Sequence, residues 1–151
     1  MRPVRQPLVL DAQVRVEIHE RRHVRPAKIL LAEDDQVVSA VIEHRLENAG
    51  HAVVRCGDGL AVTETAIREQ ADLLLIEARL PGISGFELLR SIRRHEALAD
   101  IPVIILAWPG NEQEAVRAFE LGADDFVLKP FSPVELTARV SRLLHRSVSR
   151  R

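Results

Sequence analysis

Residues 73–76 read Leu-Leu-Leu-Ile, and a carboxylate, Glu77, follows at once. A strand with one wet face alternates apolar and polar side chains, whereas a strand covered on both faces is apolar throughout. A fully buried strand is therefore expected over residues 72–76, and that points to a parallel sheet. Parallel neighbours cannot be joined by tight hairpins, so the chain must supply helical crossovers.

It does so repeatedly. Short apolar strands are expected at Lys28–Ala32, Ala52–Arg55, 102–107 and Asp125–Leu128. The first intervening helix carries Val38, Val41, Ile42, Leu46 and Ala49 at core-facing spacing, with Gly50 as its stop. After the break Gly57-Asp58-Gly59 a helix is expected over 60–69. A third, over 84–95, carries Phe86, Leu88, Leu89 and Ile92. Asn111 can cap a fourth that stops at Gly122. The last starts at Ser132-Pro133, has Glu135 placed for a capping box, and turns Leu136, Val140, Leu143 and Leu144 inward.

Five alternations of strand and helix predict an α/β architecture, an open doubly wound parallel sheet. One domain over residues 27–146 accounts for them. Residues 1–26 form an N-terminal extension, either strand-like or disordered, and residues 147–151 a basic tail. Neither end is long enough for an output domain.

In doubly wound sheets, ligands bind beyond the carboxyl ends of the strands. Those ends carry Glu33 and Asp34 after the first strand, Glu77 at the third, Ala107 and Trp108 at the fourth, and Lys129 after the fifth. Three carboxylates and one ammonium are expected to converge. Two like charges about 4 Å apart repel by roughly 4 kcal/mol at an effective dielectric of 20. Such a cluster needs a cation, either Lys129 or a hard divalent ion such as Mg²⁺ held by oxygens.

These residues lie in the stretches ILLAEDD, DLLLIE followed by RLPGISG, IPVIIL, and GADDFVLKPF. In that order and spacing, from about residue 28 to 144, the chain resembles the receiver domain of two-component response regulators. The resemblance implies a flavodoxin-like five-stranded sheet of order 2-1-3-4-5 with five helices. It implies that Glu33 and Asp34 match the acidic pair of a Mg²⁺ site, with the backbone carbonyl of Arg79 as a further ligand. Glu77 stands at the phosphoacceptor position, Ala107 at the switch Ser/Thr, Phe126 at the switch aromatic, and Lys129 at the lysine that contacts the phosphoryl group. Pro81 and Gly85 belong to the turn after the acceptor, and Lys129-Pro130 to a cis peptide.

Three positions depart from that pattern. The family accepts phosphate on aspartate, and Glu77 is longer by about 1.5 Å. In-line transfer depends on positioning, where a misplacement of about 1 Å can cost on the order of 100-fold. Ala107 has no hydroxyl to latch a phosphoryl oxygen. Trp108 replaces a small residue and is expected either to occlude the site or to anchor its loop by apolar contact. The reading is an atypical receiver, a phosphorylation-independent signalling and interaction module rather than an enzyme, requiring no cofactor and binding Mg²⁺ weakly at most. The alternative is a phosphorylatable or constitutively phosphomimetic regulator.

The resemblance implies signalling-protein partners on the face made by the fourth helix, fifth strand and fifth helix. A homodimer there would draw on Glu112, Glu114, Glu120, Asp124 and Asp125 facing the arginines of the last helix. Charge is segregated: +4 over residues 1–28, −10 over 29–138 and +5 over 139–151. With 3% aromatic residues and no recognition-helix motif, nucleic acid is not the expected partner.

No run of about 18 apolar residues is present to span a bilayer. The N-terminus lacks a secretory core and Cys56 is the single cysteine, so a cytoplasmic location is expected. His19-Glu20-Arg21-Arg22-His23 matches the zinc-peptidase pattern, but Val14, Val16 and Ile18 before it alternate like a strand and Pro26 follows too soon for a stable helix. His44, His51, His95 and His145 are expected to face solvent.

Overall fold

A computed structural model describes residues 26–149. The strand-like pattern at Val14 to Ile18, the His19 to His23 motif and the final two arginines lie outside those residues.

The elements run β1 Lys28–Ala32, α1 Gln36–Asn48, β2 Ala52–Arg55, α2 Val62–Arg68, β3 Leu73–Glu77, α3 Gly85–Arg94, β4 Val103–Ala107, α4 Gln113–Glu120, β5 Asp125–Leu128 and α5 Pro133–Ser149. The sheet is parallel throughout, in the order β2-β1-β3-β4-β5 that the family resemblance implies. β3 and β4 are buried at every position because helices cover both faces. Leu74, Ile76, Ile105, Leu89 and Ile92 pack on one side of the sheet, and Leu73, Leu75, Ile104, Ile42 and Val140 on the other.

Local chemistry sets the element ends. Asp35 caps α1 by accepting from Val37 N and Val38 N, and Ser84 Oγ accepts from Glu87 N at the start of α3. Gly50 and Gly122 take positive φ just past α1 and α4, where a side chain would strain the backbone. Asn111 Oδ1 accepts from Gln113 N before α4.

Several local expectations need correction. On α1 the buried residues are Ser39, Ile42 and Leu46, while Val41 and Ala49 are exposed. One residue along a helix is about 100° around it, so Val41 leaves the stripe that Ile42 holds. α2 is shorter than expected, because one 3₁₀ turn, Gly59–Ala61, precedes it. The capping box of α5 is half made: Ser132 Oγ accepts from Glu135 N at 3.4 Å, while the Glu135 carboxylate turns outward to Arg139. α5 continues to Ser149, beyond residue 146. His51 is buried rather than solvent-facing, because it sits in the tight connection from α1 into β2.

Candidate functional site

The carboxyl ends of β1, β3, β4 and β5 bring the expected residues to one place. Glu33 follows β1, Glu77 is the last residue of β3, Ala107 the last of β4, and Lys129 follows β5. Crossovers return each strand in the same direction, so residues up to 96 apart in sequence meet side by side.

Glu33, Glu77 and Lys129 form a buried ionic triad. Lys129 Nζ donates to Glu33 Oε2 at 2.6 Å and pairs with Glu77 Oε2. By direction Glu77 Oε2 has no regular hydrogen-bond partner, and it is the closeness of the ammonium that compensates its burial. The outer oxygens are occupied as well: Glu33 Oε1 accepts from Asp35 N at 3.1 Å and Glu77 Oε1 from Arg79 N at 3.2 Å. Each carboxylate therefore presents one oxygen to the ammonium and the other to a backbone N–H.

Burial sets the electrostatics. The three side chains are at most 5% exposed. Burial raises the Glu33 pKa above its ordinary value, against the lowering effects of Lys129 and the Asp35 N–H. For Lys129, burial alone would lower the pKa, but Glu33 and Glu77 together outweigh it and the ammonium is held more firmly than usual. The triad is thus two acids sharing one strongly held cation.

The other predicted residues fall around it. Asp34 is exposed and outside the triad, so two carboxylates converge on the ammonium rather than three. Ala107 is buried and brings no hydroxyl. The Trp108 ring lies 5.5 Å from Lys129 Nζ on the outer side, in reach for a cation–π contact, and is 54% exposed, so it flanks the ammonium without being sealed in itself. Phe126 is half-buried against the core, and Lys129-Pro130 is cis.

The turn after β3 is built to close tightly. Pro81 and Gly82 lie at its tip, Arg79 bridges to Ser84, and Gly85 N donates to Ala78 O at 2.8 Å. A Cβ on Gly85 would stand 2.5 Å from Glu77 O, so only glycine lets α3 start so close to the β3 end.

The Mg²⁺ site implied by the resemblance would draw on Glu33, Asp34 and the Arg79 carbonyl. These residues do not suit it as arranged. Among the described residues no group of three or more His, Cys, Asp or Glu is placed to hold a metal ion. All four oxygens of Glu33 and Glu77 are committed, and an ammonium stands between them. A cleft of about 470 Å³ does exist, lined in part by Asp72, Glu96, Asp100 and Arg146. It opens at the opposite end of the sheet, away from the triad.

Sequence reasoning missed two features here. Asp35 serves as a helix cap, which its place just before an apolar stripe could have signalled. Asp125, expected on a dimer surface, is buried and paired with Arg139 at 2.9 Å and Arg142 at 3.2 Å of its own chain, and Asp124 pairs with Arg93 at 2.9 Å. An arginine two turns along α5 returns over β5, and the sequence alone did not show that.

Comparison with known proteins places this geometry. Residues 29–141 match the family model described as the response regulator receiver domain. The chain is 38% identical over 120 residues to the DNA-binding dual master transcriptional regulator RpaA of Synechocystis sp., covering 80% of this chain and 50% of that protein. It is 41% identical over 119 residues to the transcriptional regulatory protein GltR of Pseudomonas aeruginosa, covering 79% and 49%. It thus spans about half the length of the curated relatives it matches. Among solved structures, a response regulator from Chloroflexus aurantiacus superposes with a TM-score of 0.77 at 32% identity, covering 80% of this chain and 99% of that one. The BeF₃-activated N-terminal receiver domain of Klebsiella pneumoniae RstA gives 0.72 at 32%, covering 78% and 97%. No helix among the described residues is long and apolar enough to cross a membrane.

Proposed function

The chain belongs to the response regulator receiver family, and on that footing we propose that it signals without phosphorylation, as a binding module rather than an enzyme. One observation carries this reading: Glu77, at the acceptor position, is buried with both oxygens engaged, one by Lys129 and one by Arg79 N. An acceptor oxygen must be free to attack in line, and this one would first have to leave an ammonium. Ala107 and Trp108 support the same reading. The first has no hydroxyl to receive a phosphoryl oxygen, and the second flanks the approach to Lys129.

The test is incubation of the intact protein with a small acyl-phosphate donor and Mg²⁺, read by intact mass. The unmodified mass is expected to persist. A phosphoryl adduct on the wild type would overturn the proposal.

The Glu77–Lys129 contact also favours a second reading, a permanently phosphomimetic receiver. A carboxylate brings one charge and two oxygens, whereas a phosphoryl group brings nearly two charges and three acceptors. With alanine at 107 there is no hydroxyl to complete the switch, so the imitation would be partial. Glu77→Gln separates the two readings. Unchanged hydrogen exchange across α4, β5 and α5 supports the first, and loosening of that face supports the second.

The partner surface proposed is that same face. Val116 and Phe119 on α4 and Leu128 on β5 are at least half exposed, an apolar set for a signalling protein or a second copy of the chain.

A further inference from the structure

We infer that Lys129 is the resident cation of this acidic pocket and that the wild-type chain does not take up Mg²⁺ there. Mg²⁺ asks for near-octahedral oxygen ligands at about 2.0–2.1 Å and gives up its waters reluctantly. Here Glu33 Oε2 lies 2.6 Å from Lys129 Nζ, Glu77 Oε2 pairs with the same ammonium, and the two outer oxygens hold Asp35 N and Arg79 N. A metal ion entering between the carboxylates must displace the ammonium or stand beside it against like charge.

Space and length point the same way. The three side chains are nearly inaccessible to solvent, so the pocket has no room for the waters that Mg²⁺ retains. The carboxylate of Glu77 reaches Lys129, and the Trp108 ring lies 5.5 Å from the same ammonium. A cation–π contact stabilises a cation that has already lost its water. The one acid left over, Asp34, is exposed and alone, and a single carboxylate binds Mg²⁺ poorly without a second ligand. The inference stands apart from the proposed loss of phosphotransfer, because a pocket can hold Mg²⁺ and still fail to accept phosphate.

Trp108 is the sole tryptophan and the chain has no tyrosine, so its fluorescence reports on this pocket alone. Mg²⁺ is titrated into the wild type and into Lys129→Met, following Trp108 emission and melting temperature. The wild type is expected to show no saturable change. Lys129→Met, with two carboxylates and no ammonium, is expected to gain a saturable emission change and a Mg²⁺-dependent rise in melting temperature. A saturable wild-type response overturns the inference, and so does a folded Lys129→Met that ignores Mg²⁺. Should that variant not fold, Lys129→Gln carries the same test: its amide keeps a donor for the two acids but removes the positive charge, and a Mg²⁺ response must then appear. The mass assay with a phosphodonor is read separately, so failure of either idea leaves the other standing.

Discussion

Lys129 Nζ lies 2.6 Å from Glu33 Oε2, and the same ammonium pairs with Glu77, so one buried cation serves two buried acids. The charges do not balance, and the imbalance predicts an asymmetry. Removing the cation strands two carboxylates, and breaking a buried pair from one side costs about 3–5 kcal/mol. Lys129→Met is expected to lose stability on that scale. Glu33→Gln leaves a balanced Lys129–Glu77 pair and is expected to cost far less. Urea unfolding midpoints of the two variants check the ordering, and equal losses would contradict it.

Gly85 predicts a packing effect on the site. A Cβ there would meet Glu77 O at 2.5 Å and Ala78 Cα at 2.9 Å, both backbone atoms that cannot swing aside. Gly85→Ala must push α3 away from the end of β3, and overpacking of this kind costs about 1–3 kcal/mol. The shift also displaces the Glu77 backbone, so Trp108 emission is expected to change along with the melting temperature. At Gly57, where the nearest atom to an added Cβ is 4.0 Å away, alanine is expected to do little.

His51 gives the fold a pH dependence. Its side chain is buried, Nδ1 has no hydrogen-bond partner, and burial lowers its pKa below 6.5 despite the nearby Asp72. A lowered folded pKa means that the unfolded chain binds the proton more readily. The associated stability is present above pH 6.5 and is lost as pH falls through the folded value. Glu33 acts in the opposite sense: its raised pKa adds stability as pH falls toward 4.5. The difference between wild type and His51→Leu isolates the histidine. The wild type is expected to lose stability faster than the variant below pH 6.5, and parallel curves would rule the effect out.

The parts of the molecule that were legible in the sequence are those where one physical signal dominates. The unbroken apolar runs at β3 and β4 announce strands covered on both faces, and strand ends then place Glu33, Glu77 and Lys129 together by topology alone. Side-chain direction was less legible. Asp34 and Glu33 are adjacent, yet only Glu33 turns inward, because Asp35 N fixes one of its oxygens and Lys129 the other. Polar residues usually face solvent, yet His51 is buried in the tight connection from α1 into β2 and Asp125 by Arg139 of α5. Spacing alone puts Val41 on the core-facing stripe of α1, although Ile42 beside it holds that face.

The α4–β5 surface predicts self-association. Val116 and Phe119 are one helical turn apart and both more than half exposed, with Leu128 at 50% beside them on β5. Asp124 and Asp125 are already paired within the chain and are not free for charge pairing across a dimer, which leaves the apolar set as its main contact. Sedimentation at micromolar concentration is expected to show a dimer that Phe119→Asp abolishes. A wild type that remains monomeric removes this idea.

Placing aspartate at position 77, the proposed acceptor position, is expected to be insufficient on its own. Glu77→Asp shortens the side chain by about 1.5 Å and releases it from Lys129, which returns a carboxylate of ordinary acceptor length to the end of β3. Trp108 still flanks Lys129 at 5.5 Å, and Ala107 still offers no hydroxyl. Glu77→Asp is therefore expected to label slowly with a small acyl-phosphate donor and Mg²⁺. Adding Trp108→Ala is expected to quicken labelling by opening the approach, and Ala107→Ser to lengthen the lifetime of the adduct by supplying a donor to its oxygen. Intact mass over time measures both. If Glu77→Asp alone labels as fast as the double variant, Trp108 does not obstruct the site, and the length of Glu77 is the whole reason the wild type would stay unmodified.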